Sequence, residues 1–505
     1  MPPDPKRQPE KNPFDTSPEV EPWDEPLEQE DEPELGGAAN QQHDDSDMES
    51  RVDLDVDLDV VIENFPKPPA FSDEALALAF TEQHKDELRY VAAWGRWMRW
   101  DGARWKFDQT LTTFDRARAI CREMSSKCNE KRMSMRLAEA RTVAAVERLA
   151  RSDRRHAATA SQWDTDPMIL NTPHGVVDLK TGDMRAHRRD DHLTKITAVG
   201  PGGDCPLWRE FLDRVAAGDS DLQLFLQRVF GYALTGCTHE HAFFFLYGTG
   251  ANGKTVLLST ASKLMGDYAM TAPIDTFIKG SVDRHPTELA GLRGARLVVA
   301  SETEEGRRWA ESRIKAITGG DMVSARFMRQ DFFEFTPAFK LIVAGNHRPG
   351  LRSVDEAIRR RMNLIPFTVT IPVDERDEHL SEKLKAEWPG ILEWMIAGCL
   401  DWQEHGLAAP AAVVKATNEY LETEDALSTW IAECCEIPGA GYATSGEMFK
   451  SWKGWAEAAG EHVGSQKRLS QNLQARGFEP KRQGGTGRMG FMGISVVGQD
   501  NLWRG

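Results

Sequence analysis

The sequence predicts an α/β protein in which a parallel sheet carries a phosphate-binding loop. A buried apolar strand runs directly into the pattern G-x-x-x-x-G-K-[ST], and two further buried strands that end in polar residues follow it along the chain. The 505 residues suffice for about three domains. The expected architecture is a P-loop NTPase core with a preceding α+β domain and a C-terminal winged helix.

The excess of acidic over basic residues is confined to the first segment of the chain. The net charge is -17, from 62 Lys+Arg against 79 Asp+Glu, and residues 1–63 hold 21 of the acids and 4 of the bases. The remaining 58 acids and 58 bases balance, so residues 64–505 can still concentrate bases in one channel. The acidic pI therefore does not exclude a nucleic-acid partner.

Residues 1–63 are rich in Pro, Asp, Glu and Gln, and we expect a disordered acidic tail. Within it, Val and Leu alternate strictly with Asp over 52–60. This stretch is either solvated tail, a strand that adds to a partner's sheet edge, or an acidic mimic that occupies a basic groove.

The cysteines and the apolar runs exclude several classes of protein. The seven cysteines form no CxxC pair and no zinc spacing, which favours a reducing compartment. The longest apolar runs are far shorter than the roughly 18 residues of a membrane span, and the charged start is not a signal peptide. We expect a cytoplasmic protein without a membrane partner, in the bacterial host cytoplasm if a phage or mobile element encodes it.

The first globular region begins with a helical pattern over 73–84 and continues with an aromatic, arginine-rich stretch over 96–107. Asp101-Gly102 predicts a type I′ hairpin there. The tryptophans in this stretch either pack as a small core or stack on bases between the arginines. A long basic helix is expected over 111–149, followed by short strands with turns over 163–182.

The phosphate-binding loop is the most specific motif. Ala242–Tyr247 is predicted as a buried parallel strand, and a helix is predicted from about Lys254. Glycines allow backbone N–H groups to wrap phosphates, the lysine neutralises the outer phosphate charge, and the threonine hydroxyl binds Mg²⁺. The pattern predicts an ATP and Mg²⁺ site formed by Gly248, Thr249, Gly250, Ala251, Asn252, Gly253, Lys254 and Thr255.

Two later strands predict the rest of this site. The strand over 295–302 ends at Glu302, and Glu304 and Glu305 follow; a carboxylate there can hold Mg²⁺ or polarise the attacking water. The strand over 339–346 ends at Asn346, where a γ-phosphate sensor would lie. Taken singly, Glu302 and Asn346 are also compatible with ordinary strand ends.

Between these strands, residues 323–336 form two strand-like runs around a basic turn. A hairpin with Arg326 or Arg329 near its tip could enter a central pore and grip a phosphate backbone; the alternative is a surface hairpin with solvated arginines. Beyond the last strand, Arg360 or Arg361 could act as a trans finger on the nucleotide of a neighbouring subunit, which implies an oligomer.

The last region predicts a winged helix. Residues 465–476 form an amphipathic helix with Leu469 and Leu473 inward and Lys467, Arg468 and Arg476 outward. A glycine-rich turn that carries Arg488 would form a basic wing. The module either binds duplex DNA or docks a protein.

These motifs together resemble the helicase part of the poxvirus and phage/plasmid primase-helicase family, within superfamily 3 helicases. The resemblance covers about 64–505, and it rests on the P-loop, 301–305, 315–321, the Arg326 hairpin, 339–349, the Arg359 cluster, 163–182 and the three C-terminal motifs 444–452, 465–476 and 484–490.

The resemblance implies an AAA+-like core, a homo-hexameric ring and ATP-driven translocation on single-stranded DNA during phage, plasmid or mobile-element replication. It implies forked or origin duplex DNA and a separate primase or polymerase as partners. It assigns Lys254 and Thr255 to phosphate and Mg²⁺, Glu302 to the acidic motif, Asn346 to the sensor, and Arg360 or Arg361 to the finger.

The sequence departs from the family at two places. Residues 1–63 are too few for the primase domain that many relatives carry upstream, so primer synthesis is not expected of this chain. Ser301 occupies a place where some relatives have the first acid of a pair, which leaves open whether Glu302, Glu304 or Glu305 activates water.

The expected function is an ATP-hydrolysing DNA helicase. The alternative is an ATP-dependent origin-binding or remodelling protein that does not unwind processively. The expected organisation is a tail at 1–63, an α+β domain at 64–200, a helical collar at 201–240, the ATPase core at 241–371, a helical segment at 372–425 and the winged helix at 426–505.

Overall fold

A computed structural model describes residues 66–279, 287–301, 307–327, 331–351, 354–437, 441–461, 463–476, 478–482 and 488–497. The predicted tail and its alternating 52–60 segment lie outside the described residues. Everything described from Lys67 onward belongs to one unit. None of its described helices is long and apolar enough to cross a bilayer.

The first part combines helices with two small sheets. Its elements are α1 (Asp73–His84), β1 (Leu88–Val91), β2 (Arg96–Trp100), β3 (Trp105–Phe107), α2 (Thr112–Lys127), α3 (Lys131–Leu137), α4 (Ala140–Ala150), β4 (Ala157–Ala158), β5 (Ile169–Thr172), β6 (Gly175–Asp178) and β7 (Met184–Arg185). The strand order of the first sheet is β3-β2-β1-β4, and that of the second is β5-β6-β7. The helix predicted over 73–84 is present with those bounds.

The single long helix predicted over 111–149 is wrong, because the chain forms α2, α3 and α4 there. Cys128 and Glu130 adopt extended backbone conformations that end one helix before the next begins. The Ser125 hydroxyl donates to the Ser134 carbonyl at 2.7 Å and holds the turn. The break lets α4 fold back and bury Val143 and Val146 against α1 and α2.

The hairpin predicted at Asp101-Gly102 is present, but its turn is not type I′. That turn needs positive φ at both central residues, and Gly102 has a φ of 103° whereas Ala103 is not in the left-handed region. The Asp101 carboxylate accepts hydrogen bonds from the backbone N–H groups of Ala103 and Arg104, which stabilises this different turn. Trp97 and Trp105 are buried in the core, so the packing interpretation holds for these two tryptophans.

The middle of the chain builds a five-stranded parallel sheet. Its elements are α5 (Pro206–Val215), α6 (Ser220–Leu234), β8 (Phe243–Tyr247), α7 (Lys254–Met265), β9 (Ala269–Thr271), α8 (Thr287–Ala290), β10 (Leu297–Ser301), α9 (Glu311–Gly319), β11 (Val323–Ala325), β12 (Phe333–Phe335), β13 (Lys340–Gly345), α10 (Glu356–Arg359), β14 (Met362–Pro366), α11 (Leu380–Ala386), α12 (Trp388–His405) and α13 (Ala411–Thr423). The order in the sheet is β14-β8-β13-β10-β9, and every neighbouring pair is parallel.

Alternate side chains of β8 enter two different cores, as a strand with a period of two requires. Phe244 and Leu246 belong to the core shared with α6, α7 and α12. Phe243 and Phe245 pack in the other core, and their ring centres lie 5.5 and 5.6 Å from that of Trp309. The two faces of β8 are therefore both covered by apolar packing.

The last part forms a separate small core. Its elements are α14 (Ala426–Cys434), β15 (Cys435–Glu436), β16 (Tyr442–Thr444), α15 (Ser445–Ala458), α16 (Gln466–Ala475), β17 (Pro480–Arg482), β18 (Met489–Met492) and β19 (Ser495–Val496). Strands β16, β18 and β17 form an antiparallel sheet. Leu469 and Leu473 on α16 point into the core beside Trp430 and Phe491, as predicted for the leucines.

Candidate nucleotide-binding site

The P-loop lies at the carboxyl edge of the parallel sheet. Strand β8 ends at Tyr247, and α7 begins at Lys254. Tyr247 pairs with Gly345 of β13 on one side and with Pro366 of β14 on the other. The loop therefore emerges between the ends of two neighbouring strands, where ligands of open parallel sheets bind.

Close contacts require two of the loop glycines, Gly248 and Gly253. A Cβ on Gly248 would lie 2.1 Å from the Phe367 carbonyl oxygen, and one on Gly253 would lie 2.6 Å from Val215 Cγ1. Gly253 is also the N-cap of α7, with a φ of 83° and no side-chain cap hydrogen bond. The N–H groups of the first turn of α7 thus have no capping side chain, which suits the end of this helix to an anion.

Lys254 and Asn346, two residues that the sequence assigned to the site, contact each other. The Lys254 ammonium donates to the Gly248 carbonyl at 2.6 Å and to the Asn252 and Asn346 side-chain oxygens at 3.1 and 3.2 Å. Burial lowers the pKa of Lys254 to about 8. The amine is thus held among neutral oxygens, an arrangement that an arriving anion would complement.

Asn252 is a site residue whose role the motif does not specify. Its side chain is buried, its oxygen accepts from Lys254, and its Nδ2 donates to the Phe367 carbonyl at 3.1 Å. It therefore ties the lysine to the segment that follows β14. The only sequence signal was its place inside the loop, because the pattern accepts any residue at that position.

The acidic residues predicted for this site directly follow strand β10 in the sequence. Strand β10 ends at Ser301, which pairs with Ala344 of β13, two residues before Asn346. Glu302, Glu304 and Glu305 lie outside the described residues. Thr255 is exposed in the first turn of α7. The Lys254 ammonium, the uncapped start of α7 and the exposed Thr255 hydroxyl are the groups that could hold the phosphates of a nucleoside triphosphate and Mg²⁺.

The structure separates the two candidate finger arginines. Arg360 is exposed, whereas Arg361 is 7% exposed and donates to the Ala357 carbonyl at 2.9 Å. Both precede β14, whose first residue Met362 pairs with the first residue of β8, Phe243. They therefore lie at the amino edge of the sheet, opposite the P-loop of the same chain.

The hairpin predicted between the second and third core strands is present as β11 and β12. Arg326 follows β11, and its guanidinium lies 4.9 Å from the Phe332 ring centre. Phe327 and Phe332 are exposed, and Phe327 stacks on Phe333 at 5.5 Å. Arg329 lies outside the described residues. Exposed aromatic rings beside arginine can stack on bases, and the sequence analysis did not single them out.

The segment after Asn346 is anchored to the end of α13, an arrangement that the sequence did not predict. The Tyr420 hydroxyl donates to the Pro349 carbonyl, and a Glu424 carboxylate oxygen accepts from the Leu351 N–H at 2.9 Å. Burial raises the pKa of Glu424. Glu424 directly precedes the C-terminal module, so the hydrogen bond from Leu351 links the segment after Asn346 to the start of that module.

The predicted DNA-binding residues of the C-terminal module differ in their surroundings. Lys467 and Arg488 are exposed, Lys467 in the first turn of α16 and Arg488 just before β18. Arg468 lines a cavity of about 470 Å³ between this module and the core, together with Asp355 and Glu424. The prediction that Arg476 points outward is wrong, because Arg476 pairs with Asp425 at the start of α14.

Comparison with known families matches two parts of the chain. Residues 77–216 match the family described as D5 N terminal like, and residues 246–361 match a family of unknown function, DUF5906. The first match covers the region of α1 to α5, and the second covers the sheet from the end of β8 to Arg361.

Similar proteins come from large DNA viruses. A helicase-named protein of Acanthamoeba polyphaga mimivirus is 26% identical over 54% of this chain and 31% of its own length. A helicase-named protein of Frog virus 3 is 25% identical over 48% of this chain and 27% of its own length. The chain thus spans less than a third of the curated relatives it matches. The solved C-terminal region of NrS-1 is 9% identical, with a TM-score of 0.46 over 83% of this chain and 99% of that one.

Proposed function

We propose, from the premise that this chain is a relative of the helicase part of the poxvirus and phage/plasmid primase-helicases in superfamily 3, that it is an ATP-driven DNA helicase. Its similarity to helicase-named viral proteins supports a helicase-type role in replication. The proposal extends to an AAA+-like ring ATPase that moves along single-stranded DNA.

The observation that carries the proposal is the contact between Lys254 and Asn346 at the carboxyl edge of the sheet. The P-loop contributes the lysine and the first turn of α7, and the neighbouring strand contributes the amide. A phosphate held at this helix end would lie within reach of both side chains. The same amide that now accepts from Lys254 would then sense the outer phosphate.

Each residue has a distinct task in this proposal. Lys254 neutralises the outer phosphates, and the Thr255 hydroxyl is a ligand for Mg²⁺ with a carboxylate from Glu302, Glu304 or Glu305. Bound ATP and Mg²⁺ supply the transferable phosphoryl group and part of its charge neutralisation. Asn252 keeps Lys254 in place, because its oxygen accepts from the ammonium.

The position of Arg360 supports a ring. An arginine at the amino edge of the sheet cannot reach the P-loop of its own chain, but it can reach a nucleotide on an adjacent subunit. A head-to-tail interface that repeats this contact forms a ring when its rotation closes, and we propose a homo-hexamer. Arg360, which is exposed, is the proposed finger, and Arg361 is its buried support.

The hairpin and the C-terminal module supply the proposed DNA contacts. Exposed Phe327 and Phe332 beside Arg326 would stack on bases and contact the backbone of a strand in the central channel. Residues 426–505 are interpreted as a winged helix in which Lys467 and Arg488 contact duplex DNA; Arg468 is placed to contribute from the rim of the cavity.

ATP hydrolysis with and without single-stranded DNA tests the proposal. Lys254→Ala should abolish hydrolysis and leave the fold intact, because alanine is well tolerated at a helix start. Lys263→Ala is the matched control, since Lys263 lies exposed on the same helix. Wild-type activity in the control and none in Lys254→Ala supports the site. Hydrolysis by Lys254→Ala would contradict it.

A further inference from the structure

The helices of the first part carry an excess of basic side chains that the proposed function does not use. Residues 112–155, which include α2, α3 and α4, contain 12 Lys+Arg and 6 Asp+Glu. Salt bridges consume most of the acids locally, as in the pairs of Glu123 with Lys127 and of Glu147 with Arg151. The excess is therefore not neutralised within the domain.

Five bases in this region have no acidic partner within 4 Å among the described residues. All five are exposed, and they are Lys131, Arg132, Arg136, Arg148 and Arg154. Asp115, Glu139 and Asp153 are already paired with other arginines. Only Glu130 among the acids of 112–155 has no such partner among the described residues, so the five cations outnumber the available anions.

Four of these bases lie on α3 and α4, which are fixed with respect to each other, and Arg154 lies in the turn after α4. Arg132 and Arg136 lie one turn apart on α3 and share a face of that helix. The Thr142 hydroxyl donates to the Arg136 carbonyl at 2.9 Å, which joins the end of α3 to the start of α4. Arg148 follows on the exposed side of α4. Arg132, Arg136 and Arg148 are therefore exposed on two helices whose relative position is fixed before any partner binds.

We infer that these five bases form a second DNA-binding surface, which contacts the phosphate backbone of a duplex. Unpaired arginines attract a polyanion, and a phosphate backbone provides regularly spaced charges for them. Neither α3 nor α4 contains an aromatic residue on which an unpaired base could stack. The surface thus suits a duplex, whose bases are already stacked. The inference rests on the proposed function in one respect only, namely that the partner is DNA.

The test compares two triple variants that change the net charge equally. Arg132→Ala/Arg136→Ala/Arg148→Ala removes part of the surface. Lys383→Ala/Lys415→Ala/Lys453→Ala is the control, because these exposed lysines of α11, α13 and α15 each pair with an acid and lie outside the surface. Thermal unfolding of both variants checks that the fold is retained.

The measurement is fluorescence anisotropy of a labelled duplex oligonucleotide without nucleotide, titrated at several salt concentrations. Three lost phosphate contacts should weaken binding at least about tenfold at low salt and reduce the salt slope by about 3. The control should match the wild type. An unchanged slope in the surface variant, or an equal loss in the control, would overturn the inference. So would a loss seen only with a single-stranded oligonucleotide of equal length.

The result is independent of the ATPase assay. Lys254→Ala should retain the salt-dependent duplex binding of the wild type, because its substitution is at the P-loop. The surface variant should hydrolyse ATP at the wild-type rate in the absence of DNA. If the wild-type protein does not hydrolyse ATP, the proposed motor function is refuted, whereas the inferred duplex-binding surface is not affected.

Discussion

Arg360→Ala is the substitution that most sharply probes the proposed subunit arrangement. Strands β14 and β8 are in register from Met362↔Phe243 to Pro366↔Tyr247, and Arg360 precedes this register whereas the P-loop follows it. Four steps of about 3.3 Å place the two edges at least about 13 Å apart. That span exceeds the length of an arginine side chain, so in the proposed ring Arg360 would act on another subunit's nucleotide.

The expected loss follows from the task of a finger. Removal of an arginine that stabilises the transition-state charge lowers the rate by about 10³ or more, equivalent to about 4 kcal/mol. Arg359→Ala is the control, because Arg359 is exposed at the same turn but lines the cavity with Glu424. Arg361→Ala should instead lower thermal stability, because a buried side chain and its bond to Ala357 are lost.

The assay mixes two inactive variants. Lys254→Ala retains Arg360, and Arg360→Ala retains Lys254, so a mixed ring contains interfaces that have both residues. Random mixing at equal amounts should restore about one quarter of the wild-type ATPase rate. No recovery from subunits that demonstrably mix, or a fully active Arg360→Ala protein, would refute the trans arrangement.

Three further predictions concern the nucleotide site and the tail. Because the pKa of Lys254 is about 8 without a ligand, ATP affinity should be constant near pH 6–7 and should fall above about pH 8, where the amine loses its proton. Isothermal titration calorimetry across this pH range measures the affinity, and an affinity that does not change with pH would contradict the prediction. Asn252→Ala should weaken ATP binding and destabilise the fold by about 1–3 kcal/mol in denaturant unfolding, since the Phe367 carbonyl loses its donor. Asn252→Asp should keep an acceptor for Lys254. Wild-type behaviour of Asn252→Ala would show that Asn252 does not position Lys254. Removal of residues 1–63 should leave DNA affinity of the purified protein unchanged at two salt concentrations if the tail recruits a partner, whereas tighter binding with a weaker salt dependence would show that it competes for the DNA surface.

The central sheet was predictable because its signals are local. The strand ahead of the P-loop, the strand that ends near Glu302 and the strand that ends at Asn346 each form a short apolar run, and buried parallel strands require such runs. The P-loop pattern also fixes its own neighbourhood, since it needs a strand before it and a helix after it. These local features are sufficient to predict that Lys254 and Asn346 belong to one site.

The features that sequence patterns missed depend on tertiary contacts. Cys128 and Asn129 are weak helix formers, but no glycine or proline marks a helix end there, and the packing of α4 against α1 and α2 accompanies the turn. Arg360 and Arg361 are identical in type and adjacent, and only the fold buries one and exposes the other. The pairing of Arg476 with Asp425 likewise joins residues far apart along the chain.

Strand displacement on a forked DNA substrate tests the central claim most directly. The account predicts that the wild-type protein with ATP and Mg²⁺ releases the labelled strand, that Lys254→Ala releases none, and that Lys263→Ala behaves as the wild type. ATP hydrolysis and duplex binding without release of the strand would contradict the helicase and favour an origin-binding or remodelling protein.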